Sequence, residues 1–217
     1  MTKTTKVALV AAALLCAAAT PLEAQLAWDT PRMIGPESPG GFGVYVMQPD
    51  ALPGDKRAAF ATWALPGMGG SVILRGGVGE GVAEEEAAFG GLDLRAPIAR
   101  HTDSQPFDIE WTAGAGFGVG EYILVSVPVA ISVGRSWSSG SVWFAPYLSL
   151  GATADYRHGD SDLRPDEEFE VQPTAGVGID LSFDPGRRFV VRAATALGDR
   201  QALAVGLAVT GGPRGGR

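Results

Sequence analysis

The chain has 217 residues, 46% of them hydrophobic and only 19% charged, with a formal net charge of −7. Glycine, at 31 residues, is roughly twice as frequent as in an average domain. The apolar content excludes a disordered chain and the acidic balance argues against a nucleic-acid binder, while the lone Cys16 excludes zinc ribbons, iron–sulfur clusters and internal disulfides.

In chain order the first element is a leader. Lys3 and Lys6 make a positive start, Val7 to Thr20 carries no charge, and Ala24 supplies a small residue before a cleavage point. This predicts a secretory signal peptide over residues 1–24, whose apolar run is too short to span a bilayer. A lipoprotein reading of Cys16 competes with it. The preceding Ala13-Leu14-Leu15 argues against that, because leucine stands where lipid processing takes a small residue. Cleavage would remove Cys16 and leave residues 25–217 as one domain.

Past the leader the recurring signal has period two, which predicts strands. Alternating runs lie near 41–48, 58–65, 70–80, 87–99, 107–119, 122–137, 142–157, 168–183, 187–198 and 201–211, that at 58–65 being the weakest. Val125, Val127, Val129, Ile131 and Val133, for example, alternate with Ser126, Pro128, Ala130, Ser132 and Gly134. Turn residues punctuate the runs at Leu65-Pro66-Gly67, Gly120-Glu121, Ser138-Ser139-Gly140, Asp184-Pro185-Gly186 and Gly198-Asp199. The spacing suits membrane strands of roughly 9–11 residues joined by short turns.

The two faces differ in kind. A soluble sandwich pairs an apolar inner face with a charged outer one. Here the face opposite the bulky residues is Gly, Ala, Ser and Thr, and Lys56 is the only lysine after the leader. Small residues suit the crowded interior of a narrow barrel, and the bulky face then meets lipid. With the chain starting in the periplasm, Trp137, Phe144, Phe183 and Phe189 fall at the inner rim beside Phe42 and Phe107. Phe117, Tyr122, Tyr156 and Phe169 fall at the outer rim, giving two aromatic girdles. The outer rim also carries the acidic segments Glu84-Glu85-Glu86 and 158–168, and the 100–106 connection is long for an inner turn.

The pattern over residues 41–211 resembles the small single-chain outer-membrane β-barrel proteins of Gram-negative bacteria. That resemblance implies an all-β, closed antiparallel up-and-down membrane β-barrel of about ten strands, or eight. It also implies contact with outer-membrane lipid and lipopolysaccharide, and folding by the outer-membrane assembly machinery. Such proteins usually end on an aromatic residue, whereas this sequence ends Gly211-Gly-Pro-Arg-Gly-Gly-Arg217. A soluble periplasmic lipocalin-like barrel holding an apolar ligand therefore stays open, and it requires Val125, Val127, Val129 and Ile131 to face inward.

With the small face inward, Arg75 falls opposite Asp93, Arg95 near Glu110, and Asp180 near Arg192. Buried charges need partners, so these six predict a lumen salt-bridge network that plugs the barrel; the same groups lining a narrow polar conduit is the other reading. Catalytic signals are weak. Neither histidine, His101 nor His158, has partners at metal-ligand spacing, and the acidic loop after His158 lacks the offsets of an EF-hand. Gly114, Gly116, Gly118 and Gly120 repeat at strand spacing, not at that of a phosphate loop. An outer-leaflet lipid-modifying enzyme would draw on Asp155 and His158, with no serine evidently paired to them. The expectation is a structural, surface or narrow-pore barrel with no catalytic residue, metal or cofactor.

Overall fold

Bulky β-branched residues alternating with small ones favour extended chain, because the branched side chains pack well on a pleated surface. The computed structural model describes residues 30–49, 57–67, 69–80, 86–120, 123–158, 167–197 and 201–211, and every regular element among them is a strand. These are β1 (Gly41–Pro49), β2 (Ala58–Gly67), β3 (Gly70–Glu80), β4 (Glu86–Ala99), β5 (Asp108–Val119) and β6 (Ile123–Gly134). They continue with β7 (Trp137–Ser139), β8 (Val142–His158), β9 (Glu167–Ser182), β10 (Phe189–Leu197) and β11 (Ala202–Thr210).

Consecutive strands pair antiparallel except β6 and β7; β6 pairs instead with β8, and β1 pairs with β11 to close the ring. The result is a closed up-and-down barrel of ten strands, with β7 as an extra short strand on β8. Closure removes the sheet edges that would otherwise present unpaired backbone groups. All ten alternating runs form strands, including the weak one at 58–65.

Two local departures have physical causes. The run at 122–137 is not continuous: β6 stops at Gly134, the Arg135 amide donates to the Pro146 carbonyl at 3.3 Å, and Trp137 starts β7 instead. Trp137 then stacks on its cross-strand partner Phe144, ring centroids 5.5 Å apart. The long 100–106 connection is held by reciprocal backbone bonds between Thr102 and Gln105 and by the His101 amide donating to Asp108.

The bulky face points outward. Val125, Val127, Val129 and Ile131 are 42–51% exposed, whereas Ser126 and Ser132 on the opposite parity are 0% exposed. The packed core lies within the barrel, where Tyr45 stacks on Phe60 at 4.9 Å and both join Met47, Ile73 and Phe89. Met33 and Ile34 belong to that same cluster although they lie on no strand. Residues 30–40 cross the barrel interior before the chain turns at Gly41 (φ 146) into β1.

Candidate functional site: a lumen closed by residues 30–40

Residues 30–40 contain Pro31, Pro36 and Pro39, so they cannot supply a full ladder of strand hydrogen bonds. Their carbonyls still need donors once buried. Three inward arginines provide them, since a guanidinium has five N–H donors and one carboxylate cannot occupy them all. Arg75 on β3 donates to both the carbonyl and the hydroxyl of Thr30. Arg95 on β4 donates to the Gly35 carbonyl at 2.8 Å and to that of Ser38 at 3.3 Å. Arg192 on β10 donates to the Pro39 carbonyl at 2.6 Å and to the Tyr45 hydroxyl at 3.1 Å. Tyr147 on β8 donates its hydroxyl to the Arg32 carbonyl, and Ser136 donates to Glu37. The segment is thus bound from opposite walls.

Each arginine also meets one carboxylate. Arg75 Nη2 lies 2.6 Å from Asp93, Arg95 Nη1 lies 3.5 Å from Glu110, and Arg192 Nε lies 3.2 Å from Asp180. The registers refine the sequence expectation. Arg192 and Asp180 are direct cross-strand partners. Arg75 is not opposite Asp93: it sits across from Gly91, and Asp93 across from Ile73, so their ion pair is diagonal. Arg95 likewise sits across from Thr112 and reaches Glu110 diagonally. Long side chains span that offset easily.

Glycines make the room. Tyr147 is buried where added Cβ atoms at Gly35, Gly134 and Gly178 would press on its ring or Cβ. A phenol large enough to reach residues 30–40, which form a plug inside the barrel, fits here because its neighbours have no side chains.

Higher in the lumen, Ser126 on β6 donates to Asp155 on β8, its direct cross-strand partner, and Arg157 meets Glu170 at 3.1 Å. The sequence reading missed the Ser126–Asp155 pair because register, not chain spacing, brings the two together. It also grouped Asp155 with His158, and the strand separates them. Asp155 is 0% exposed and points inward, whereas His158 is exposed on the other parity of β8 and stacks on Tyr156. Among the described residues no cluster of His, Asp or Glu is arranged to hold a metal ion.

Of the aromatic residues expected at the rims, Trp137, Phe183 and Phe189 are exposed at one end of the barrel and Phe144 is half-buried beside Trp137. Phe117, Tyr156 and Phe169 are exposed at the other end, Tyr156 directly opposite Phe169. Tyr122, the leader, Cys16, Lys56 and most of the acidic loops lie outside the described residues. Trp63 and Trp111, at 49% and 40% exposure, add to the first end and were not singled out in the sequence.

A small cavity of about 70 Å³ remains above the plug, bounded by Thr30, Arg75, Ser149, Thr153 and Thr195. No protein family and no curated protein matches this chain.

Proposed function

We propose that this protein is an integral outer-membrane β-barrel that its own residues 30–40 hold closed, with a structural or surface role and no open pore in this state. The observation that carries the reading is the sorting of charge. Among the strand residues whose side chains are described, Arg75, Asp93, Arg95, Asp108, Glu110, Asp155, Arg157, Glu170, Asp180 and Arg192 turn inward, and the outward-turned Glu80 and Glu86 stand at the rim. Between the rims the outer wall is mostly Val, Leu, Ile, Ala and aromatic residues, with Gly76, Gly90, Pro146, Pro173 and Thr195 among them and no charged side chain, the composition of a lipid-facing band flanked by girdles. A water-exposed wall of that kind would be a strong aggregation hazard. The plug supports the closed reading, because residues 30–40 lie inside the barrel and are held there by Arg75, Arg95, Tyr147 and Arg192 from different strands.

The test is to express the full chain in a Gram-negative host, isolate outer membranes, and compare migration on SDS gels with and without boiling. A faster unboiled band in that fraction is the expected result. A soluble periplasmic protein without the shift would overturn the membrane reading. Planar-bilayer recording of the purified barrel then tests closure, with little steady conductance expected.

A further inference from the structure

The plug meets the barrel wall at the tip of a turn. The Ser38 amide donates to the Gly35 carbonyl at 3.1 Å, and the Gly35 amide donates to the Ser38 hydroxyl at 2.8 Å. Pro36 and Glu37 form the tip of that β-turn, where proline favours the first of the two central positions. Arg95 grips both ends of the turn through the Gly35 and Ser38 carbonyls.

Glu37 touches two groups of the wall, Asp108 at the start of β5 and Ser136 just past β6. Register brings those two together, since Asp108 lies directly across from Gly134. Asp108 Oδ1 accepts the His101 amide at 3.2 Å and lies 3.9 Å from the Arg100 guanidinium. Its other oxygen, Oδ2, is buried and meets no N–H or hydroxyl donor. Glu37 is thus in contact with a second carboxyl group that is only 2% exposed. Other charges are engaged elsewhere: Glu110 pairs with Arg95, Arg135 lies over the Trp137 ring, and His101 and Asp103 are exposed. β11, which precedes Arg214 and Arg217, stands opposite β5 in the ring.

Resting on the closed-barrel reading above, we infer that Glu37 and Asp108 share one proton, and that this proton latches the plug against β5. Two carboxylates in contact repel strongly when both are ionised, whereas a carboxylic acid donating to a carboxylate makes a strong bond. Arg100 compensates little, because its side chain is 59% exposed. The latch is complete while the pair holds its proton and is lost as rising pH removes it. Alkaline solution then sets two like charges against each other at the turn tip and loosens the plug. Acid closes the barrel.

The experiment is planar-bilayer recording of the purified full-chain barrel at about pH 5 and about pH 8, with Asp108→Asn and Glu37→Gln beside the wild type. The wild-type open-time fraction should rise about tenfold at the higher pH. Either amide keeps a hydrogen bond without the second charge, so both variants should stay closed at both values. A wild type closed at both values overturns the proposal, and so do variants that keep the pH response. Opening by a calcium chelator at about pH 5 also overturns it, in favour of a cation between the carboxylates. Infrared spectroscopy reads the proton itself: a carboxylic-acid band present at about pH 6, where ordinary carboxylates are ionised, should be missing from Asp108→Asn. An unchanged band overturns the shared proton. If the wild type instead conducts steadily at both values, the closed-barrel reading has failed, and the band still decides whether the proton is shared.

Discussion

The Arg192 guanidinium lies 3.2 Å from the Asp180 carboxylate, and neither side chain has any contact with solvent. Arg192 also holds Tyr45 and the plug carbonyl of Pro39, so one cation joins β9, β1 and the interior segment. Taking both charges out of water is costly, but removing only one partner is costlier still because the other stays buried alone. Arg192→Met should therefore destabilise the barrel by about 3–5 kcal/mol, and the double variant with Asp180→Leu should recover most of that. Equilibrium urea unfolding in lipid vesicles measures both, and a double variant no better than the single one would contradict this account.

The plug should act as a stopper. Deleting residues 31–38 removes the plug carbonyls that Arg95 and Tyr147 bond while leaving every strand intact. A barrel that keeps its heat-dependent gel shift but conducts steadily in planar bilayers is the expected outcome. Unchanged conductance in such a folded variant would mean that the lumen is closed by other parts of the chain.

Val129 tests the facing of the wall. It is 49% exposed, near the middle of β6, with Ala152 opposite it on β8. Arginine at a lipid-facing mid-membrane position costs about 2–4 kcal/mol, whereas a water-exposed surface position usually tolerates a change within about 0.5 kcal/mol. Val129→Arg should therefore lower barrel stability markedly in vesicle unfolding. A neutral effect would favour a soluble barrel.

Gly178 tests the packing around Tyr147. A methyl group there would overlap the phenol ring, which is hemmed in by Gly35 and Gly134 as well. Gly178→Ala should cost about 1–3 kcal/mol, the usual range for overpacking. Shortening the ring with Tyr147→Leu in the same chain should offset part of it, a coupling that a double-mutant cycle reads directly.

The turn at Asp184 carries a pH dependence. Its carboxylate accepts the amides of Arg188 and Gly186, each at 3.0 Å, and the Arg188 guanidinium at 3.3 Å. Those bonds, the Arg188 amide first, hold its pKa below the ordinary carboxylate value. A depressed folded pKa means that the stabilisation is complete above the unfolded value and is lost as pH falls through the folded one. The contribution should thus be present above about pH 4 and fade in more acidic solution. Asp184→Ala should flatten that part of the stability–pH curve and change little near neutrality beyond a constant offset.

Much of the fold is legible in the chain because a strand writes its two faces directly into alternate positions. The runs around Val125, Phe169 and Leu203 specify extended chain, their turns specify a meander, and the near absence of charge on the bulky parity specifies which face is inside. Aromatic residues such as Phe117 and Phe169 can be assigned to a rim from their distance to a turn alone.

The plug could not be read in the same way. Residues 30–40 have no period, since their proline-rich chain is held by side chains from strands far along the sequence, Arg75, Arg95, Tyr147 and Arg192 among them. The pairing of Ser126 with Asp155, and the separation of Asp155 from His158, depend on inter-strand register and strand parity, which local spacing alone did not reveal. The diagonal reach of Arg75 to Asp93 has the same origin. The sequence alone determined the strands and their inward and outward faces, because those follow from neighbouring residues. Only the tertiary structure decided what fills the barrel, because a buried carbonyl accepts whatever donor closure of the ring brings to it.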